Sequence, residues 1–299
     1  MTENEYNSRY DFLCEKRLHL TDEDLHRRFR DSVFTMDLLL ANYKTIFPFF
    51  TDHTFDHSEQ VINYCNVIAG EDVVAQLNPD ELYILLMGAS LHDIGMGISQ
   101  ADFEEFSVNI PELSAYLKAN PGLPLGEYTR EFHQELSAQF IKKYAGLFDI
   151  PSEEYVYCIA QVVRGHRKAD LLDEEQYSPH FLMPNGRTVN LAYIAALVKL
   201  ADELDITADR NLFFDYNNIN DEWSEKQKMC YKCHGALKKL GIKSDSLVLY
   251  YKTDEQAVEN EILCTRSKIE RVFNEYCIIV AVRTPFKNRL KNILFEKMV

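Results

Sequence analysis

The 299-residue sequence has no apolar run close to the roughly 20 residues that a membrane-spanning helix needs. Its first residues, MTENEYNSRYDFL, also lack the apolar segment of a secretory signal. Basic residues are in deficit, because 32 lysines and arginines stand against 47 aspartates and glutamates, for a net charge of -15. Proteins that bind long nucleic acids or anionic membranes need a basic surface. We therefore expect a cytoplasmic protein that binds neither.

The seven cysteines are an odd number and most stand alone in apolar segments, so they predict reduced packing residues and no disulfide framework. The one cluster, Cys230-Tyr231-Lys232-Cys233-His234, has the C-x-x-C-H spacing of a haem attachment site. That chemistry belongs to exported proteins, and a zinc site would need a second ligand pair nearby. We interpret the cluster as a coincidence of spacing.

One buried helix organises the middle of the chain. Asn78 is a good N-cap residue and Pro79 suits the first helical position, so a helix is predicted to begin there. From Leu82 to Leu91 the run LYILLMGASL is apolar on every side. This pattern is typical of a helix that other helices surround in a core.

This helix ends in the adjacent polar pair His92-Asp93, followed by Gly95 and Gly97. A carboxylate at the end of a buried helix is costly unless a hydrogen-bonded partner or a metal ion neutralises it. The glycines end the helix and allow the backbone to approach whatever the two side chains hold. The pair alone is a weak motif, since a capped helix end would show the same residues.

The rest of the pattern predicts a mainly α protein. Helices are predicted at Thr21–Ile46, Phe55–Ala69, Pro79–Leu91, Tyr128–Tyr144, Ser152–Gly165 and Thr188–Ile206, with loop or lid segments at Asn109–Gly126 and Leu171–Arg187. Beyond residue 220 we expect a small α/β appendix with helices at Trp223–Leu240 and Glu255–Asn274 and strands at Ser246–Lys252 and Tyr276–Arg283. The predicted domains are residues 1–215, all helical, and residues 216–299, of unknown role.

Six candidate metal ligands lie at or near ends of the predicted middle helices. They are His57, His92, Asp93, His133, His166 and Asp202. Intervals of 33 to 40 residues between successive helices suit a bundle in which facing side chains converge on the core. Histidine and carboxylate ligands without thiolate favour manganese, iron, nickel, zinc or magnesium. We expect one or two divalent ions.

The order of these residues resembles the HD-domain metal-dependent phosphohydrolases over residues 50–210. His57, His92-Asp93 and Asp202 match the family's four-ligand signature, and His133 and His166 match the two further histidines of members that hold two metals. The segment LADELDITADR also resembles the last signature helix of that family. The resemblance implies a helical bundle of the HD type.

The resemblance also implies the chemistry. One ion would be held by His57, His92, Asp93 and Asp202, and a second by His133 and His166, with Asp93 bridging. Two such ions can activate a water between them and neutralise both the attacking and leaving oxygens. The implied reaction is hydrolysis of a phosphate ester of a nucleotide or other small phosphorylated substrate by a metal-bound hydroxide, with Asp93 and Lys199 as catalytic residues.

Substrate phosphates need nearby cations, and five lie within a turn of a proposed ligand: Arg130, Arg164, Arg167, Lys168 and Lys199. Four of them, without Lys168, are the predicted substrate-binding residues. An alternative for Lys199 is a structural lysine whose aliphatic stem packs on the helix while its ammonium reaches solvent. His53 competes with His57 as a ligand or joins it four residues apart, and Asp205 is either solvated or braces a ligand. We favour His57 because the apolar face of its helix follows it directly.

Departures from the family pattern bear on the substrate. In the cyclic-dinucleotide phosphodiesterases of the family, Ile-Gly-Lys follows the HD pair, with Gly-Tyr-Pro downstream. Here Met96 replaces that lysine and Gly-Tyr-Pro is absent, so cyclic di-GMP is not favoured. Two alternatives stay open: a catalytically weak metal-bound sensing module that meets a protein partner or a second copy through the C-terminal segment, and a di-iron oxygenase. Fold alone does not decide among them.

Overall fold

The structure is a computed structural model and describes residues 12–48, 51–207 and 225–298. Helices before the site are α1 (Leu13–Thr21), α2 (Glu23–Leu40), α3 (Tyr43–Ile46), α4 (Phe55–Ala69), α5 (Glu71–Val74) and α6 (Pro79–Leu91). After a 3-10 helix at Ile94–Gly97 come α7 (Gln100–Asn109), α8 (Pro111–Ala119), α9 (Leu125–Tyr144), a second 3-10 helix (Ala145–Phe148), α10 (Glu153–Gly165) and α11 (Leu191–Leu204). The mainly α prediction is confirmed.

Helix α6 lies at the centre of the bundle, as its sequence predicts. Asn78 accepts hydrogen bonds from the backbone N–H groups of Asp80 and Glu81, and the Glu81 carboxylate accepts one from the Asn78 N–H at 3.0 Å. Helices α1, α2, α4, α10 and α11 pack around α6, so every side chain from residue 80 to 91 is buried. This packing fixes the end of α6, where His92 and Asp93 lie.

The predicted bounds of α4, α9, α10 and α11 agree with the structure to within a few residues. The long helix predicted at residues 21–46 is divided, because α2 ends at Leu40 and α3 begins at Tyr43. The predicted loop at residues 109–126 is also corrected. It contains helix α8, which begins at Pro111. Proline suits the first helical position because the backbone N–H that it lacks would have no hydrogen-bond partner within the helix.

The C-terminal part combines helices with a three-stranded sheet. Its elements are α12 (Glu225–Ala236), β3 (Leu237–Lys243), β4 (Ser246–Tyr251), α13 (Gln256–Arg283) and β5 (Asn292–Lys297), and a separate two-stranded ribbon pairs β1 (Phe181–Leu182) with β2 (Thr188–Val189). Strand β4 lies in the middle, antiparallel to β3 and parallel to β5. The strand predicted at 246–252 is confirmed, and the helix predicted to run to 240 ends at Ala236.

The strand predicted at residues 276–283 is wrong, because this segment completes the 28-residue helix α13. Its β-branched residues favour a strand by local propensity. In the fold, Tyr276, Ile279 and Val280 are spaced as on one helix face, and they are buried where α13 packs against α11. Tertiary packing overrides the local preference and brings α13 beside the helix that carries Asp202.

In the described part of the chain, no single helix is long and apolar enough to cross a membrane. Two consecutive segments, Pro79–Gly97 and Gln100–Asn109, reach that length and composition only when taken together, and they meet at a bend of 108°.

Candidate metal centre

All six predicted ligands converge in the bundle core. His57 lies in the first turn of α4, His92 and Asp93 follow α6, His133 lies within α9, His166 follows α10, and Asp202 lies in the last turn of α11. They form two overlapping groups: His57, His92, Asp93 and Asp202, and Asp93, His133 and His166. Within each group the ligand atoms lie within 4.8 Å of one another. Asp93 is the one residue that the two groups share.

Hydrogen bonds set the tautomer of three of the histidines. The Nδ1 atoms of His92, His133 and His166 each lie within hydrogen-bond distance of the backbone carbonyl three residues earlier, at 2.8 Å for His92 and His133. A carbonyl only accepts, so Nδ1 must carry the proton and donate. In the neutral ring this leaves the lone pair on Nε2, the atom that points into the site.

His57 is oriented by a carboxylate instead. Its Nδ1 donates to Asp205 Oδ2 at 2.6 Å, and both side chains are buried. Asp205 directly follows α11, so the helix that supplies Asp202 also supplies this brace. Of the two readings of Asp205 from the sequence, the structure therefore supports the bracing one. Such a carboxylate fixes the ring and makes Nε2 a better ligand.

The Nε2 atoms face one another in two pairs. His57 and His92 are 3.1 Å apart at Nε2, and His133 and His166 are 3.0 Å apart. Two lone pairs at this distance repel unless a proton or cation lies between them. Ligand atoms about 2.1 Å from an ion, at right angles to each other, would be about 3.0 Å apart. The donor set therefore fits a divalent ion at each pair.

Asp93 presents one oxygen to each histidine pair. Its Oδ2 lies 3.4 Å from His57 Nε2 and 3.2 Å from His92 Nε2, while Oδ1 lies 3.4 Å from His133 Nε2 and 3.8 Å from His166 Nε2. The Oδ1 of Asp202 completes the first group, 3.3 Å from His57 Nε2. The geometry matches a carboxylate that bridges two cation positions.

The protonation states also favour a cation. Burial raises the pKa of Asp93, but the neighbouring His92 and His57 outweigh burial and hold it well below its usual value. Burial lowers the pKa of His92, and Asp93 together with Asp202 reverses this and raises it to about 10. Burial lowers the pKa of His133 and His166, so these rings are neutral. The carboxylates, His133 and His166 thus have the forms that bind metals, whereas His92 carries a proton that a metal ion would displace from the site.

A pocket of about 190 Å³ leads to this cluster. It is lined by His53, Asp93, Met96, Arg130, His133, Arg167, Asp202, Glu203, Ile206 and Lys268. Two predicted phosphate-binding residues, Arg130 and Arg167, are therefore at the pocket. His53 also lines it, with its Nε2 at 3.8 Å from Asp93 Oδ2, although its position is outside the two ligand groups.

Neither Lys199 nor Arg164 is among the residues that line this pocket, and the roles predicted for them stay predictions. The Lys199 ammonium lies 2.9 Å from the Glu275 carboxylate of α13, and the Arg164 guanidinium lies 2.8 Å from Glu135 of α9. Both residues are predicted to bind phosphate because they lie close in sequence to a proposed metal ligand. Lys199 is three positions from Asp202 and Arg164 is two positions from His166, and each side chain points to a carboxylate of a neighbouring helix instead of the pocket.

Lys268 is a residue of the pocket that no sequence pattern predicts. This residue lies on α13, far along the chain from the six ligands, and its ammonium lies 2.7 Å from the Glu203 carboxylate at the pocket. Around Lys268 the sequence RSKIERVFNE alternates basic and acidic residues, as exposed helices commonly do. No local signal distinguishes it, since its place at the pocket depends on the packing of α13 against α11.

Comparison with known proteins agrees with this geometry. The chain matches the HD-CE family over residues 47–275, a span that includes all six ligands and most of α13. No curated protein matches the chain. Because the match covers well over half of the 299 residues, the chain belongs to the HD-CE family, an HD-domain-related family.

Proposed function

We propose that this protein is a metal-dependent phosphohydrolase that acts on a nucleotide or another small phosphorylated molecule. The observation that carries the proposal is the placement of Asp93, whose two carboxylate oxygens each face a separate pair of histidine Nε2 atoms. A carboxylate between two cation positions is the arrangement that phosphoryl transfer by two metals needs. The family match supports the same class of site.

The chain offers a complete set of protein ligands for two ions. His57, His92, Asp93 and Asp202 would hold one, and His133 and His166 would hold the other together with Asp93. Divalent ions there would supply Lewis-acid stabilisation of the phosphoryl charge and activation of the attacking water. Hydrogen bonds from Nδ1 keep the imidazoles oriented before any substrate arrives, and the buried setting strengthens every charge interaction in the site.

The cations of the pocket suit a phosphate group. Arg167 is half-buried and makes no ion pair with any residue that the structure describes. A guanidinium can bind two phosphate oxygens at once. Arg130 lines the same pocket, and Lys268 is held there by Glu203. These three side chains would neutralise a phosphate that the carboxylates alone would repel.

The first test measures phosphate release by the protein loaded with manganese, using a panel of nucleotides and simple phosphomonoesters and phosphodiesters. We expect hydrolysis of at least one compound, and we expect Asp93→Asn to reduce the rate by about 100-fold or more because the bridging charge is lost. The matched control is Asp31→Asn on the exposed surface of α2. Circular dichroism would verify that both variants are folded.

Metal analysis of the same preparations separates the proposal from its competitors. We expect two ions per wild-type chain and about one in His133→Ala. Iron with oxygen consumption and no phosphate release would overturn the proposal in favour of an oxygenase. Two bound ions without turnover of any compound, with any divalent metal, would overturn it in favour of a sensing module.

A further inference from the structure

A second, larger groove lies along α13. It has a volume of about 590 Å³ and is lined by Asp170, Leu171, Leu172, Ser267, Glu270, Arg271, Asn274, Glu275, Ile278 and Ile279. We call it the α13 groove. One wall is a face of α13, and the other is the segment that follows α10, the helix before His166.

On both walls, residues that line the α13 groove are three positions along the chain from residues that line the metal pocket. On α13, Lys268 lines the metal pocket and Arg271 lines the groove. Residues three apart on a helix are neighbours on its surface, with Cβ atoms about 5–6 Å apart. On the other wall, Arg167 lines the metal pocket and Asp170 lines the groove. This spacing places the two volumes side by side along α13.

The two volumes differ in what they can hold. Sites for small organic ligands are typically about 300–1,000 Å³. The metal pocket, at about 190 Å³, is below this range, whereas the α13 groove, at about 590 Å³, is within it. A phosphate fits the smaller space. The rest of the substrate must then lie outside it, and the adjoining groove has the room.

The charges of the groove are nearly balanced. Glu270 lies 2.7 Å from Arg266, and Glu275 lies 2.9 Å from Lys199, so both carboxylates are already paired. The remaining charged residues are Asp170 and Arg271, one of each sign, and neither has an ion pair within the described ranges. The groove has no excess of cations for additional phosphates, which favours an uncharged group as its occupant.

The lining of the groove offers aliphatic surface for a flat ring and polar groups for hydroxyls. Leu171 and Ile279 are buried, while Leu172 and Ile278 are 43% and 51% exposed and offer aliphatic surface to a ligand. Asn274 provides both a donor and an acceptor at the same wall, and Asp170 provides a carboxylate. Aliphatic contact with a base, an amide at its edge and a carboxylate for sugar hydroxyls are the contacts that a nucleoside requires.

We propose that the α13 groove binds the nucleoside part of the substrate, while its single phosphate lies in the metal pocket. This inference rests on the proposed function and makes it more specific: the substrate is a nucleoside monophosphate rather than a triphosphate. Asn274 and Ile278 determine specificity and take no part in the chemistry. The Lys199–Glu275 ion pair supports the groove wall from α11.

The test uses ligands without phosphate, so it does not depend on catalysis. Binding of adenosine, guanosine, cytidine and uridine to the metal-loaded protein is measured by titration calorimetry. We expect at least one nucleoside to bind, and we expect Ile278→Glu to weaken it by about 10-fold or more, since a carboxylate would have to be desolvated against the base. The matched control is Leu263→Glu, which places the same charge on an exposed position of α13 outside the groove and changes binding less than about 2-fold.

Three outcomes separate this inference from the proposed function. Nucleoside binding that Asp93→Asn retains and Ile278→Glu loses supports the groove, whether or not phosphate is released. Hydrolysis of simple phosphomonoesters by a protein that binds none of the four nucleosides overturns the groove and keeps the proposed function. Equal binding by the Ile278→Glu and Leu263→Glu variants also overturns the groove, because the nucleoside would then bind elsewhere.

Discussion

At the scale of the residue, the metal centre depends on where each imidazole proton lies. Three histidines donate from Nδ1 to carbonyls of their own helices, and His57 alone donates to a side chain, Asp205. A backbone carbonyl cannot be removed by mutation, but Asp205 can. This makes His57 the ligand whose orientation is open to experiment.

We predict that Asp205→Ala weakens binding of the first metal by about 10- to 100-fold, the usual effect of removing a carboxylate that orients a histidine ligand. The measurement is metal affinity by competition with a chelator of known affinity. The control is Asp31→Ala, which removes an exposed carboxylate of α2. Unchanged affinity in Asp205→Ala would show that His57 is either held by other contacts or is not a ligand.

At the scale of the element, the segment after α6 is fitted tightly against α9. The Gly95 N–H donates to Ser137 Oγ at 2.8 Å, and the Ser137 hydroxyl donates to the His92 carbonyl at 2.8 Å. A Cβ on Gly95 would lie 2.4 Å from the His133 carbonyl oxygen. The close approach requires glycine, and it brings the segment that follows Asp93 against the helix that carries His133.

We therefore predict that Gly95→Ala destabilises the fold by about 1–3 kcal/mol, because the added methyl group meets backbone atoms that cannot rotate away. The same displacement moves His133, so the second metal is lost before the first. Thermal unfolding and metal content per chain measure the two effects. Gly146→Ala is the control, since a Cβ there meets nothing within 4 Å. Equal stability of the two variants would contradict the prediction.

Helices α7 and α9 are joined by a cluster around Asp102. Its carboxylate accepts hydrogen bonds from Lys143 at 2.9 Å, Tyr144 at 2.7 Å and Ser99 at 2.7 Å. Burial raises the pKa of Asp102, but these three donors, Lys143 first, outweigh burial and hold the pKa below 3.8. The folded protein therefore prefers the ionised form more strongly than the unfolded chain does.

A carboxyl whose pKa is lowered by folding stabilises the fold at pH above its unfolded value of 3.8, and this contribution is lost as the pH falls through the folded pKa. We predict that Asp102→Asn is less stable than wild type at pH 6 and that the difference narrows below pH 3.8. Urea unfolding at several pH values measures it.

A double-mutant cycle that combines Asp102→Asn with Lys143→Met provides the control for this prediction. The coupling free energy between the two substitutions should be present at pH 6 and should shrink in acid, because it depends on the ionised carboxylate. A coupling that does not change with pH would mean that packing, rather than charge, joins the two helices here.

At the scale of the whole molecule, the six ligands come from α4, α9 and α11 and from the residues that follow α6 and α10. Metal bound at this point holds together segments from residue 57 to residue 202. A ligand that binds only the folded state stabilises it by mass action, by about 2.7 kcal/mol at a concentration 100 times Kd. Metal binding and stability are therefore linked.

We predict that removing metal with a chelator lowers the Tm of the wild type by about 5 °C or more, and that adding manganese restores it. In Asp93→Asn, which lacks the shared ligand, the same treatment should move the Tm far less. Differential scanning calorimetry measures both. A wild-type Tm that responds to neither treatment would show that the cluster binds metal weakly or not at all.

Much of the centre could be predicted because it depends on local patterns. The all-apolar run of α6 marks a buried helix, and a histidine and an aspartate at its end need a partner there. Each of the other ligands lies at or near the end of a different predicted helix. These features belong to single segments, and their order along the chain is enough to recognise an HD-type arrangement.

What could not be predicted depends on contacts between segments far apart in the chain. Local propensity favours a strand at residues 276–283, yet packing against α11 makes it the end of α13. Lys199 has the spacing of a site residue but pairs with Glu275, and Lys268 has no sequence signal but lies at the pocket. The direction of each of these side chains is set by its neighbours across the bundle, which no pattern within one segment encodes.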